Sequence, residues 1–215
     1  MNTLQLAVNL IGWRHFARRK EDKKFLPVSK RVHERDHYIC QYCGFQAKEY
    51  QDVVNLDGNY LNNKLSNMIT ACCFCSQCLF LQGVGLDEMS GGQLIYMPEM
   101  SQADLNSFCH VLFCAMGNST GYQESAQTIY RSFKFRGQVV ENKFGTGTSN
   151  PSVFGQMVVE YQDQFPAKGG EVLKDLRLLP SNVKFRTQLE AWAESALKEL
   201  EAEEQTEGQG SDSVT

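Results

Sequence analysis

The chain has 215 residues, 42% of them hydrophobic, a net charge of −4 and a pI near 5.6, enough apolar material for one large domain or one domain with a small insert. No apolar stretch reaches the roughly twenty residues needed to cross a bilayer, so membrane association is expected only through a partner. The basic cluster at 14–24 follows the apolar run of the first twelve residues, the reverse of a secretory signal, and eight cysteines without such a signal imply reduced thiols in a cytoplasmic protein.

The net charge conceals a polarity. From Arg14 to Asp36 nine Lys or Arg stand against four acids, whereas from Thr187 onward one basic residue stands against eight acidic ones. A basic stretch can meet phosphates, but at this pI a solvated helix face is the better reading and nucleic acid is not the expected partner.

In chain order, residues 25–39 are predicted to form a helix ending just before Cys40. Two short strands follow, "DVVNL" and a return through "LSNMI", joined by the turn-rich "DGNYLNNK", and the cysteine-rich "TACCFCSQC" then opens a helix. "QLIYMPEM" reads as a strand stopped by Pro98. A helix follows it, with Ser101 and Asp104 as a capping box, Leu105, Phe108, Cys109 and Leu112 on one face, and Gly117 as its stop. Amphipathic patterns continue through Ala126, Ile129, Tyr130 and Phe133, and from Asn150-Pro151 through Phe154, Met157, Val158, Tyr161 and Phe165. The last helix carries Phe185, Leu189, Trp192, Ala193, Ala196, Leu197 and Leu200 opposite an acidic face. The strip around Phe133, Phe135 and Phe144 and the apolar side of the last helix are candidate partner surfaces, with core packing the preferred role of each. The fold class is therefore α+β: a single domain over 1–204, with a small β-containing module at about 31–85, a helical remainder at about 86–204, and a disordered acidic tail at 205–215.

The chemistry concentrates in the cysteines. Cys40 and Cys43 form one C-x-x-C, and beyond an insert of twenty-eight residues come Cys72, Cys73, Cys75 and Cys78, through which two overlapping C-x-x-C pairs can be drawn. Zinc takes four thiolates in a tetrahedron, and two tight C-x-x-C turns aim two thiolates each at one point. The preferred ligand set is Cys40, Cys43, Cys72 and Cys75, holding one structural Zn2+, with Cys75 and Cys78 as the other possible second pair and Cys73 as a spare. Cys109 and Cys114 sit on an apolar helix and read as small hydrophobes. His33 and His37 lie four apart without a partner of ligand spacing and are assigned to an exposed basic face, and His110 is assigned a satisfied hydrogen bond in the core.

"RVHERDHYICQYCG", a hairpin, and "LSNMITACCFCSQC" together resemble the HNH endonuclease module over about 31–80, which implies a ββα zinc-bound shape. In active members of that family a His near the end of the first strand is the general base, and further His or acidic residues hold a catalytic cation. Here Asn55 and Leu56 stand where that pair belongs and Ser76 follows Cys75 in place of the last His, leaving Asn67 alone of the trio. An amide cannot accept a proton near neutral pH as an imidazole does, so the resemblance implies a degenerate module without catalytic residues. Over nearly its full length the chain is also similar to the DotN (IcmJ) family of the Dot/Icm type IVB secretion system. That resemblance implies a non-catalytic adaptor in the coupling complex, binding the cytoplasmic tail of the coupling ATPase DotL, assisting effector recruitment and reaching the inner membrane through that complex. The alternatives are an active or residual HNH-type nuclease and a nucleic-acid-binding module.

Overall fold

A computed structural model describes residues 1–86, 90–118, 121–161 and 173–210, with the backbone alone from 200 onward. The chain begins with an extended segment that lays Leu4 and Leu6 into the core and pairs with the cysteine-rich region, Ala7 N–H donating to Cys78 O and Leu81 N–H to Ala7 O, both at 2.9 Å. Helix α1, Leu10–Glu21, starts where the Asn9 side chain accepts from Gly12 N–H at 2.8 Å, an N-cap that satisfies one of the first-turn donors. Phe16 on its buried face stacks on Phe80 at 4.9 Å and meets Tyr60 edge-on at 5.7 Å.

Helix α2 spans Leu26–Arg35 with Pro27 in its first turn, where no N–H is needed. It stops four residues short of the boundary predicted from sequence. His37 and Tyr38 adopt left-handed φ values of 53° and 56°, and the chain swings into a bridge between Ile39 and Gln46. Left-handed backbone costs a non-glycine residue about 1–2 kcal/mol, and the helix end is pinned by contacts that offset it. Arg35 donates to Leu65 O and Met68 O at 2.8 and 2.7 Å, and the Asp36 carboxylate accepts from Thr70 N–H at 2.8 Å.

Strands β1, Gln51–Asn55, and β2, Met68–Cys72, form an antiparallel hairpin in which Val53 faces Thr70 and Gln51 faces Cys72. The return strand begins later than expected, because Leu65–Asn67 close a 3-10 turn first, and it runs directly into the cysteines. Helix α3 is only Cys73–Ser76, and two further 3-10 turns carry the chain to Gly83.

The second hairpin joins segments far apart in sequence: β3, Gly92–Tyr96, pairs antiparallel with β4, Leu176–Pro180. Between them lie α4, Gln102–Gly117, α5, Gln123–Phe135, α6, Gly137–Phe144, and α7, Pro151–Glu160, and α8, Arg186–Gly210, follows. The expected caps are present, Ser101 accepting from Asp104 N–H and Asn150 from Ser152 and Val153 N–H. Of the apolar patterns, Leu105, Cys109, Leu112, Ala126, Tyr130, Phe154 and Val158 are buried, while Phe108, Ile129 and Tyr161 are exposed rims. Phe165 lies outside the described residues. Phe135 is 79% exposed and not core, whereas Phe144 packs edge-on against Phe154 at 5.3 Å. Helical backbone in α8 continues to Gly210, past residue 204 where the tail was placed, as its Glu- and Ala-rich composition favours; 211–215 lie outside the described residues.

Buried apolar side chains from Leu4 through Cys40, Phe74 and Phe154 to Phe185 form one contiguous cluster, with a small second cluster of Val32, Val53 and Met68 beneath α2. The cysteine-rich region and the helices therefore share a core.

Candidate metal centre

The first cysteine pair sits on a tight turn. Cys40 N–H donates to Phe45 O at 2.8 Å, Gly44 N–H to Cys40 O at 3.0 Å, and Gly44 takes the φ of 79° that such a turn reserves for glycine. Gln41 N–H reaches Thr70 O at 2.9 Å and ties this turn to β2. The second pair is set by the strand-to-helix corner: Cys72 ends β2 in extended backbone and Cys75 follows one helical turn later, on the same side of α3.

Together these elements bring the sulfurs of Cys40, Cys43, Cys72 and Cys75 within 4.8 Å of one another, all four residues buried. The Cys43 and Cys72 sulfurs are 3.6 Å apart. Four thiolates about 2.3 Å from one ion stand about 3.8 Å from each other, and a disulfide needs about 2.05 Å, so the spacing fits a tetrahedral ion and not a bridge. The donor set itself asks for a cation. Hydrogen bonds from Cys43, Cys72 and Cys75 hold the Cys40 thiol far below the usual range, while burial pushes Cys72 and Cys75 well above it. Burial of this kind penalises bare thiolates, and a divalent cation would stabilise four of them in a site this dry.

The remaining cysteines fall outside this cluster. Cys78 is buried, donates to Phe74 O at 3.2 Å and has its pKa pushed by burial to about 12. Cys73 and Cys109 are buried too, both raised by desolvation, and Cys114 is exposed beside Asn118 Nδ2 at 3.3 Å.

Two residues that spacing did not single out as partners of the cysteines complete the surroundings. Asn106 Nδ2 lies 3.3 Å from Cys75 Sγ, and His110 Nε2 lies 3.4 Å from Cys72 Sγ. The His110 ring is sandwiched between Phe45, at 3.6 Å and 5°, and Phe74, at 4.3 Å and 14°, with Trp192 of α8 edge-on at 5.2 Å. Burial lowers its pKa to about 3, so the ring is neutral at pH 7. Trp192 also donates to Glu49 O at 3.1 Å and borders a 410 Å3 groove between α8 and the loop at 45–49, lined by Tyr38, Phe45 and Ala196.

At the positions that the sequence resemblance sets against the catalytic residues of HNH nucleases, the side chains are tied into the fold. Buried Asn55 accepts from Arg19 Nη1 at 2.8 Å and donates to Asn59 O and Asn62 O, both at 2.9 Å, and Leu56 is exposed. Asn67 accepts from Asp57 N–H and donates to Asp57 Oδ1 and Asn62 O. Ser76 donates to Asp52 at 2.5 Å, whose other oxygen is 2.8 Å from Lys20 Nζ. Helix α1 thus delivers Arg19 and Lys20 across the outer edge of β1. His33 is not on an exposed face as expected: its two nitrogens meet Ser29 Oγ and Thr70 Oγ1 at 3.1 Å, and burial lowers its pKa. His37 is exposed on the left-handed turn beyond α2.

No helix among the described residues is long and apolar enough to cross a membrane. No protein-family model matches the chain. It is, however, 54% identical over 197 residues to the Type 4 apparatus protein DotN of Legionella pneumophila, covering 92% of each sequence. Agreement of that degree, over that much of both chains, makes this protein a member of the DotN family.

Proposed function

We propose that the chain is a zinc-stabilised, non-catalytic adaptor of a type IVB secretion coupling complex, binding the cytoplasmic tail of the coupling ATPase and assisting effector recruitment. The observation that carries the reading is the convergence of four buried sulfurs from two C-x-x-C turns, in a chain 54% identical to a type 4 apparatus protein. Cys40, Cys43, Cys72 and Cys75 would hold one Zn2+, which supplies cross-linking of the hairpin and not chemistry on a substrate. The β1–β2 hairpin followed by α3 supports descent from an HNH-like module, and the engagement of Asn55, Asn67 and Ser76 in structural hydrogen bonds supports its having lost hydrolysis. The reading gives the protein cytoplasmic residence, with recruitment to the inner membrane through its partner.

The test is capture of the purified ATPase tail by the metal-loaded full chain, with Cys72→Ser as the variant that cannot complete the sulfur set. Binding by the wild type and its loss in the variant are expected; a wild type that ignores the tail ends the adaptor reading. Plasmid cleavage in Mg2+ or Mn2+, abolished by His37→Ala, would establish the nuclease alternative instead.

A further inference from the structure

Resting on the zinc reading, the geometry points to Asn106 and His110 of α4 as the positioning residues of the metal centre, each donating an N–H to a ligand sulfur and so compensating part of its charge. Four thiolates around one divalent ion leave two net negative charges, and a buried charge without partners is costly. Asn106 and His110 are one helical turn apart and present their polar atoms on the same side of α4, toward Cys75 and Cys72 respectively.

Both donors are oriented by the surrounding structure. Gln102 accepts from Leu178 N–H at 2.8 Å and donates to Leu178 O at 2.9 Å, the double pairing of a neighbouring strand, which fixes which end of its amide is nitrogen. The same nitrogen donates to Asn106 Oδ1 at 2.9 Å, so the Asn106 nitrogen must face the cysteines, where it also meets Phe74 O at 3.1 Å. A line of hydrogen bonds thereby runs from β4 through Gln102 and Asn106 to Cys75. For His110, Nδ1 is buried without a partner among the described residues. The tautomer with hydrogen on Nε2 leaves only a lone pair unpaired there, whereas the other would strand an N–H at Nδ1 and set a lone pair against sulfur. The Phe45 and Phe74 rings hold the imidazole in that orientation.

The experiment loads full-length protein with Co2+ and records the sulfur-to-cobalt charge-transfer band, and measures Zn2+ affinity by competition with a chelator, for wild type, His110→Phe and His110→Gln. Phenylalanine keeps the ring stack but has no donor. Without the hydrogen bond the sulfur lone pair rises in energy, so the band should move to longer wavelength and affinity should fall about 10- to 100-fold; glutamine, which retains an N–H, should restore part of both. Asn106→Ser leaves the stack intact and should shift the band in the same direction, which keeps the inference testable should His110→Phe not fold. A metal-loaded wild type alongside folded His110→Phe or Asn106→Ser with unchanged band and affinity overturns the inference alone. A wild type that binds no stoichiometric metal overturns the zinc reading with it.

Discussion

Asn55 joins Arg19 of α1 to the carbonyls of Asn59 and Asn62, closing the loop between β1 and β2 with both its amide hydrogens and its oxygen engaged. Asn55→Ala would remove three hydrogen bonds from this part-buried loop, while Asn62 N–H still reaches Asn59 O, Asn67 still reaches Asn62 O and Arg19 still reaches Val53 O, and each lost bond contributes about 1 kcal/mol. A loss of about 3 kcal/mol is expected, read as a lower urea midpoint at unchanged slope; a midpoint within a few tenths of a molar of wild type would show that the loop does not depend on this amide. The four clustered cysteines were legible in the sequence because each pair's spacing is a local property of one turn. Asn106 and His110 were not legible as their neighbours, since they approach Cys75 and Cys72 from 31 and 38 residues away and no local pattern marks a helix face that will meet sulfur. Nor does four-residue spacing reveal that His33 turns inward onto β2 while His37 leaves the helix altogether.

Helices with chemical punctuation were readable, as Ser101 and Asn150-Pro151 show, because a cap acts within its own turn. Where an end is fixed by contact with another element, as Arg35 is fixed by β2, periodicity alone runs past it. The packing of α7 on the 3-10 turn Leu81–Gly83 gives a contest of signs. A Cβ on Gly155 would lie 2.5 Å from Gln82 N and 2.7 Å from its Cα. Helix propensity favours Gly155→Ala by about 1 kcal/mol, but the obstructing atoms are backbone, which cannot turn aside, and overpacking costs about 1–3 kcal/mol. The clash should prevail, and Gly155→Ala should melt a few degrees below wild type; a higher melting temperature would mean that α7 can lift off the turn at little cost.

Across the whole molecule, the cysteine cluster and the helical core are continuous: Phe74, between two of the ligand candidates, touches His110, Phe113, Phe185 and Trp192. Structural zinc contributes on the order of 10 kcal/mol to folding in small modules. Metal removal by a chelator is therefore expected to raise hydrogen exchange in α4 and at the start of α8 together with residues 36–80. Confinement of the change to 36–80 would show that the module melts by itself. The helical second half was legible from its periodicities, and "QLIYMPEM" as a strand, but its partner β4 was not found. "LRLLP" has no alternation to mark it, and its burial comes from Gln102 and Tyr130 reaching it from other helices.

The pairing of β3 with β4 sets an order of events during synthesis. Tyr96 leaves the ribosome 80 residues before its partner Leu176, about 4–16 s at ordinary elongation rates. Cys78 and His110 have been made by then, so the four sulfurs can come together while Leu94 and Ile95 still wait on an open edge. Nascent chains halted before residue 176 would carry a finished knuckle and a sticky, half-built sheet, the stretch a chaperone has most reason to cover.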